Sequence, residues 1–227
     1  MIRSVLQAVF PSLCACCGEA LVQGERHVCL ACLPELTRTL YTPMDDNPAE
    51  RLLLGRIPLE KATAMLAFRQ GNKVQRLVHA MKFHGGCDLC VEMGRQLGLE
   101  LLRSGRFDDI DLLVPVPLHW WRRMRRGYNQ SELLCRGIAQ VFPRPLNTTA
   151  LVRHRHTRAQ SRRRPSERER NVSGAFRVRK PEELAGKHLL LVDDVLTSGA
   201  TLTGCANALA HVQGVHISVA VLSMAGQ

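Results

Sequence analysis

The stretch "HLLLVDDVLTSGAT" at residues 188–201 places two aspartates directly after apolar strand formers and before a small, hydroxyl-rich turn. The apolar residues 189–192 predict a buried strand that delivers Asp193 and Asp194 to the carboxyl edge of a sheet. The turn consists of Thr197, Ser198, Gly199, Ala200 and Thr201. It leads into a predicted helix, whose first N–H groups and dipole favour a phosphate, and its hydroxyls add further donors.

The two aspartates indicate what the phosphate is attached to. Carboxylates beside a phosphate site repel the ligand unless they contact another part of it, and sugar hydroxyls, directly or near Mg²⁺, are their natural partners. The stretch therefore predicts a site for a phosphorylated sugar. An alternative remains open, in which the acidic pair only caps the following helix and interacts favourably with its dipole.

The positive charge of the chain is concentrated in two segments. The formal net charge is +11, and residues 122–126 hold four of these charges while residues 153–170 hold a net six. Such focusing implies a polyanionic ligand, although a solvated basic face is the alternative. The candidate cations are Arg122, Arg123, Arg125, Arg126, Arg158 and Arg162.

Four cysteines near the start of the chain have the spacing of a metal site. Cys14, Cys17, Cys29 and Cys32 form two CxxC pairs separated by eleven residues. Two such pairs close a four-sulfur structural zinc site, and the metal would supply most of the folding energy of this small module. Cys16 is an alternative to Cys17, His27 is a substitute ligand, and buried or redox-active thiols are the competing interpretation.

The remaining cysteines and the hydropathy bear on the compartment. Cys87 and Cys90 also form a CxxC pair, but they open an apolar helix, where buried thiols are the favoured interpretation. Nine cysteines, an odd number grouped in pairs, suit a reducing cytoplasm. No apolar run approaches the roughly 20 residues of a membrane span, so no membrane insertion is expected, and a signal peptide is not indicated.

Strand and helix patterns alternate after the cysteine module, which predicts an α/β domain with a parallel sheet. The predicted strands are 61–68, 109–117, 145–152, 189–192 and 215–224. The predicted helices are 72–83, 88–103, 129–142 and about 199–211. We divide the chain into a zinc-knuckle module (1–40), a connector (41–60) and the α/β domain (61–227).

Three segments together resemble a known family. Residues 189–201 look like the phosphoribosyl pyrophosphate (PRPP) fingerprint of type I phosphoribosyltransferases. "VPVPLHWWRRMRRGYNQ" (114–130), which includes Pro115 and Val116, resembles their pyrophosphate-contacting loop, in which a basic turn follows the strand. "RHTRAQSRRRPSERERNVSGAF" (155–176) resembles the loop that closes over PRPP in the amidotransferase branch.

With the cysteine module added, nearly the full chain resembles the ComF family, a competence-associated group. The resemblance implies a type I phosphoribosyltransferase-like fold, PRPP with Mg²⁺, a structural zinc ion, and a role in DNA uptake or in using extracellular DNA as nutrient. It also implies a helicase-like DNA translocase as a partner.

Two functions are compatible with these features. In a transferase, Asp193 and Asp194 would be the catalytic carboxylates that hold the ribose, while Mg²⁺ and the arginines stabilise departing pyrophosphate. The sequence does not identify the acceptor. In a single-stranded DNA-binding protein, the arginines would follow the backbone while Trp120, Trp121 and Tyr128 stack on bases. The tryptophans are equally compatible with packing on the domain surface.

Overall fold

The computed structural model describes residues 12–83, 86–154 and 174–226. Within these residues, the helices are α1 (Pro48–Leu53), α2 (Lys73–Ala80), α3 (Gly86–Ser104), α4 (Trp120–Arg126), α5 (Gln130–Val141) and α6 (Ala200–Leu209). The strands are β1 (Leu59–Phe68), β2 (Leu112–Pro115), β3 (Leu151–Arg153), β4 (Phe176–Val178), β5 (His188–Leu196) and β6 (His216–Ala225). Short 3₁₀ turns occupy Leu33–Glu35 and Pro181–Glu183.

A parallel sheet with the strand order β1-β6-β5-β2 forms the centre of the α/β domain. Leu191 of β5 pairs with Val114 of β2 on one side and with Val219 of β6 on the other. All three side chains are buried, because helices cover both faces of the sheet and an apolar strand is stable only between them. The predicted α/β class and the parallel sheet are confirmed.

The predicted strand 145–152 is wrong in its extent and pairing. Leu146 forms only an isolated parallel bridge to Leu113, and the strand proper, β3, begins at Leu151 and pairs antiparallel with β4. The reason lies at Asn147, whose Oδ1 accepts hydrogen bonds from the N–H groups of Thr149 (3.0 Å) and Ala150 (2.8 Å). This side-chain turn competes with sheet pairing and redirects the chain.

Helices α3 and α5 cross at very short range and fix the start of α5 against the sheet. A Cβ added at Gly94 would lie 2.1 Å from the carbonyl oxygen of Leu134, and one at Gly137 would lie 2.0 Å from that of Val91. Only glycine permits this approach. Although α3 spans 19 residues, no helix in the described part of the chain has the length and apolarity needed to cross a membrane.

The chain that links the cysteine module to the sheet packs closely against β1. The N–H of Ala67 donates to the carbonyl of Thr37 (2.8 Å), and the N–H of Thr39 donates to that of Met65 (3.0 Å). Asn47 caps α1 through its Oδ1, and its Nδ2 donates to the carbonyl of Ala62 on β1 (2.8 Å). These bonds bring α1 to the sheet and place its last turn near the fingerprint turn.

Candidate functional site

Asp193 and Asp194 lie within β5, because the strand continues to Leu196 instead of ending at residue 192 as predicted. The hydroxyl of Ser131 donates to Asp193 Oδ1 at 3.0 Å, and the N–H of Asp194 donates to the same oxygen at 2.9 Å. The first carboxylate is therefore held from two directions. In the second carboxylate, Asp194 Oδ2 lies 3.5 Å from the Lys82 ammonium, so one of its oxygens faces a cation.

The electrostatics of this pair are unfavourable in the absence of a ligand. Burial, and then the neighbouring charge of Asp194, raise the pKa of Asp193 to about 7. Hydrogen bonds from Ser131 and from the Asp194 backbone, together with Lys82, oppose this increase only in part. A half-buried carboxyl with a raised pKa, next to a second carboxylate and beside a cleft, is typical of functional sites.

A cavity of about 230 Å³ opens beside the two aspartates. Its charged lining combines this acidic pair with four cations from three separate parts of the chain. The cations are Lys82, Arg122, Arg126 and Arg153. Burial lowers the pKa of Arg126, although the charge of Asp194 opposes the shift. An anion bound in this cavity would neutralise several positive charges that lie close together.

Two of the four predicted arginines in residues 122–126 face this cavity. The predicted basic turn is a short helix, α4, which the His119 side chain caps by accepting from the N–H of Trp121 at 3.3 Å. Helical spacing puts Arg122 and Arg126, four residues apart, on one face. Arg123 and Arg125 are exposed, and Arg123 lies 3.6 Å from Glu132. Arg158 and Arg162 lie outside the described residues, as does most of the predicted loop 155–176.

The predicted phosphate turn precedes α6, with Gly199 at φ 76°. A Cβ at this glycine would lie 2.9 Å from Leu53 Cδ2 of α1, so both the left-handed backbone and the close packing require glycine. Ala200 begins α6, and Thr201, one residue later, lines the cavity. Thr197 and Ser198 do not line it. The Ser198 carbonyl instead accepts from Arg56 at 2.7 Å.

The Val-Pro-Val-Pro segment ends β2 next to the aspartates. Pro115 is the last residue of the strand and is buried, whereas Val116 lines the cavity. The Val116 N–H donates to the Val192 carbonyl at 2.9 Å, and its own carbonyl accepts from Asn129 Nδ2 at 3.0 Å. Val116 thus fixes the strand end between β5 and α5.

Several lining residues were not among the predicted site residues: Lys82, Asn129, Gln130, Ser131 and Arg153. Gln130 is buried, its Oε1 accepts from Arg126 at 3.1 Å, and its Nε2 has no hydrogen-bond partner among the described residues. A buried amide nitrogen of this kind is available to donate to a ligand. The polar run "NQS" (129–131) at the start of α5 was the one signal that could have revealed three of these residues.

The four predicted metal ligands come together in the cysteine module. The sulfur atoms of Cys14, Cys17, Cys29 and Cys32 all lie within 4.8 Å of one another, and those of Cys17 and Cys29 are 3.8 Å apart. Tetrahedral zinc with Zn–S bonds of about 2.3 Å needs sulfur separations of about 3.8 Å, so the arrangement fits this ion. Within residues 12–83, 86–154 and 174–226 no fifth metal-binding side chain joins this group. Four cysteine ligands would fill a tetrahedral site and leave no open coordination position.

The backbone around Cys14 favours the thiolate that a metal needs. Burial raises the pKa of Cys14, but N–H donors from Cys29, Cys17 and Cys16 outweigh this effect and lower it to about 6. The donors of Cys16 and Cys29 lie 3.4 and 3.3 Å from the sulfur. Such bonds orient and stabilise metal-bound sulfur.

The alternatives to these ligands take other roles. Cys16 is buried outside the four-sulfur group, and burial raises its pKa to about 12, so it does not replace Cys17. His27 does not belong to the group either. Cys90 is buried within α3, and burial raises its pKa to about 12, in agreement with its interpretation as a packing residue, whereas Cys87 is only half-buried.

Comparison with known proteins identifies the family. A family model described as "Phosphoribosyl transferase domain" matches residues 129–227, which include α5, the two aspartates and the fingerprint turn. The DNA utilization protein YhgH of Escherichia coli (strain K12) is 32% identical over 211 residues, covering 88% of this chain and 91% of the relative. This chain belongs to the ComF family.

Other ComF relatives match shorter parts of the chain. Competence protein F of Haemophilus influenzae is 31% identical over 130 residues, covering 56% of this chain and 57% of the relative. Competence protein ComFC of Bacillus subtilis is 35% identical over 98 residues, covering 43% and 38%. Among solved structures, the glutamine PRPP amidotransferase of B. subtilis matches with a TM-score of 0.41 and 17% identity over 63% of this chain, which spans 30% of that enzyme.

Proposed function

We propose that this protein binds PRPP and acts as a phosphoribosyltransferase-like protein in DNA uptake or in the use of extracellular DNA as nutrient. The observation that carries the proposal is the cavity in which Asp193 and Asp194 face four cations. Sugar hydroxyls match the carboxylates and pyrophosphate matches the cations. The 5′-phosphate would lie at the start of α6, near Thr201, where the helix offers free N–H groups.

Each group has a distinct part in this proposal. Arg122 and Arg126 would stabilise the negative charge on departing pyrophosphate, and the amide nitrogen of Gln130 would donate to one of its oxygens. The two carboxylates would hold the ribose while positive charge develops on it. Mg²⁺, when bound with PRPP, supplies further neutralisation of the pyrophosphate. No covalent intermediate with a side chain is required, since positioning and electrostatics carry this chemistry.

The family relationship supplies the biological part of the proposal. The relatives are named for DNA utilization and competence, and we infer the same process for this chain. We assign zinc to the four cysteines as a structural ion. We place the protein in a reducing cytoplasm, because nine cysteines grouped in CxxC pairs suit metal binding better than a disulfide framework.

Thermal unfolding with and without PRPP and Mg²⁺ tests the binding site. A ligand at 100 times its dissociation constant stabilises the fold by about 2.7 kcal/mol, which for a chain of this size corresponds to roughly 5–10 °C. We expect this increase for the wild type and for the control Asp88→Asn, an exposed carboxylate outside the cavity. Asp194→Asn should show little increase. An equal increase in Asp194→Asn, or none in the wild type, would contradict the proposal.

A second candidate function, single-stranded DNA binding, is favoured by the outer surface of α4. Trp120 and Trp121 are 57% and 55% exposed, and their rings lie 5.7 Å apart in an edge-to-face arrangement. The exposed Arg123 and Arg125 follow them along the helix. Aromatic side chains that stack on bases beside basic groups that follow the backbone are the usual means of binding single strands. In this role the protein would act with a helicase-like DNA translocase.

Fluorescence anisotropy with labelled oligo-dT at increasing salt tests this second candidate. Base stacking contributes about 1–3 kcal/mol per base, so Trp121→Ala should weaken binding by roughly 5- to 150-fold. Leu102→Ala, an exposed apolar residue on α3, serves as the control. Binding that is unaffected by both Trp121→Ala and salt would exclude the α4 surface as the DNA site.

A further inference from the structure

Lys82 places a positive charge against one of the two aspartates rather than at the rim of the cavity. Its ammonium lies 3.5 Å from Asp194 Oδ2, and both side chains are largely shielded from water, with 29% and 19% of their surface exposed. Arg122 and Arg126 reach the same cavity from α4, whereas Lys82 comes from the turn that follows α2. The acidic pair therefore has a cation of its own from a separate element.

The backbone that carries Lys82 is held in a tight turn. The Lys82 N–H donates to the His79 carbonyl at 2.9 Å, and the Phe83 N–H donates to that of Ala80 at 3.2 Å. Met81, just before the lysine, is completely buried. A lysine side chain is long and flexible, so a fixed backbone is what confines its ammonium to the neighbourhood of Asp194.

Tyr128 holds this turn from the other side of the cavity. Its hydroxyl lies 2.9 Å from the Met81 carbonyl oxygen and 3.0 Å from that of Phe83, so its proton is available to the carbonyls on either side of Lys82. The last carbonyls of a helix lack intrahelical donors, and this hydroxyl supplies one at the end of α2. Burial raises the pKa of Tyr128, so the phenol keeps the proton that the bond needs.

We propose that Lys82 is a built-in cation that takes over part of the work of Mg²⁺ in PRPP binding, and that Tyr128 is the positioning residue that holds it in place; the inference rests on the proposed PRPP site. Two carboxylates close to a pyrophosphate repel it unless positive charge neutralises them. A fixed ammonium beside Asp194 provides that charge before the ligand arrives and needs no reorganisation when it binds.

The effects of the lysine and of the metal on affinity should overlap. Mg²⁺, when bound with PRPP, supplies positive charge to the same group of anions. Each cation therefore matters most when the other is missing, and the loss of both should weaken PRPP binding by more than the product of the two separate losses. A lysine that only stabilised the fold would not show this dependence on the metal.

Calorimetric titration of PRPP into the full chain, with Mg²⁺ and in buffer freed of Mg²⁺ by a chelating resin, tests the overlap. The resin treats the buffer alone, so a zinc ion in the cysteine module is not removed. Omission of Mg²⁺ should weaken wild-type binding by less than about ten-fold. Lys82→Met should weaken it by roughly 10- to 150-fold without Mg²⁺, the range of an interaction with a charged group, but by less than about five-fold with Mg²⁺.

Three further variants separate charge and position from general damage. Lys82→Arg keeps the charge and should retain most of the affinity without Mg²⁺. Lys180→Met removes an exposed positive charge outside the cavity and should match the wild type in both buffers. Tyr128→Phe removes only the hydroxyl and should reproduce the Lys82→Met pattern at a smaller size, about three- to ten-fold without Mg²⁺. A purely structural Tyr128 would lower the midpoint of thermal unfolding without increasing the dependence on Mg²⁺.

The outcomes separate this inference from the proposed function. An equal loss of affinity in Lys82→Met with and without Mg²⁺, or no loss in either buffer, would show that the lysine does not share the work of the metal. If the wild type binds PRPP only with Mg²⁺, the inference fails while the PRPP site stands. If the wild type binds PRPP in neither buffer, the proposed function itself fails, and the inference with it.

Discussion

The carboxyl of Asp193 should destabilise the unliganded fold, and the effect should depend on pH. Burial and the charge of Asp194 raise its pKa to about 7, whereas an aspartate in an unfolded chain has a pKa of about 3.9. Because the folded protein favours the protonated form, the cost is absent below about pH 4 and grows until about pH 7. From these two pKa values, the ionisation of Asp193 lowers the free energy of unfolding by at most about 1.5 kcal/mol at pH 5 and about 4 kcal/mol at pH 8.

Asp193→Asn isolates this effect. Asparagine keeps the Oδ1 acceptor for the Ser131 hydroxyl and the Asp194 N–H, but it does not ionise. We therefore expect the free energy of unfolding to rise on substitution, by up to about 4 kcal/mol at pH 8 and by much less at pH 5. Urea denaturation at the two pH values, without ligand, measures both differences. PRPP binding should be impaired in the same variant, because a carboxylate that holds ribose is lost.

Asp109→Asn provides a control of opposite sign. Burial raises the pKa of Asp109, but the hydrogen bond from Lys61 (Nζ to Oδ1, 2.7 Å) and the charge of His188 outweigh it and lower the pKa. A lowered pKa contributes stability above the unfolded value, so Asp109→Asn should reduce the free energy of unfolding at pH 8. An equal effect of Asp193→Asn at pH 5 and pH 8, or a destabilised protein at pH 8, would show that the Asp193 carboxyl does not carry a raised pKa in the folded state.

Three further predictions follow from backbone and metal geometry. Gly199→Ala should lower the free energy of unfolding by more than the roughly 1–2 kcal/mol expected for Gly127→Ala. Both glycines have positive φ, but only the Gly199 position is crowded. Equal losses of stability in urea denaturation would contradict the close packing at Gly199. Cys17→Ser should lose zinc in metal analysis by mass spectrometry, whereas Cys16→Ser should retain about one ion per chain, and the reverse result would exchange their roles. Gly137→Ala should destabilise the fold by about 3 kcal/mol or prevent folding, because its Cβ would lie 2.0 Å from an α3 backbone oxygen. A loss of stability below about 1 kcal/mol in thermal unfolding would show that α3 and α5 separate easily.

The parts of the site that could be predicted from the sequence are those contained in one short segment. The aspartate pair, the glycine of the turn and the four cysteines each carry a local pattern whose geometry follows from spacing alone. Lys82, Gln130 and Arg153 carry no such pattern. Lys82 follows α2, Gln130 begins α5 and Arg153 ends β3, so only the packing of the domain brings them to one cavity. Lys82 in particular follows α2 and has no neighbouring motif.

The errors in the secondary-structure prediction have local polar causes. Asn147 turns the chain inside what reads as a strand, because its side chain satisfies two backbone N–H groups that a sheet would otherwise use. The basic residues after β2 form α4 because His119 caps the first turn and Gly127, at φ 84°, ends the last one. Histidine is an uncommon cap, so the start of this helix was not evident from composition.

The two candidate functions use opposite faces of α4 and should be separable. Arg122 and Arg126 face the cavity with the aspartates, while Trp121 is exposed on the outside. Asp194 lines the cavity, where its negative charge would repel a DNA backbone. DNA bound on the outer face of α4 does not need that carboxylate. Asp194→Asn should therefore remove the PRPP-dependent stabilisation and leave DNA affinity unchanged or higher. Trp121→Ala should do the reverse, and a variant that loses both activities together without unfolding would show that one shared groove serves both ligands.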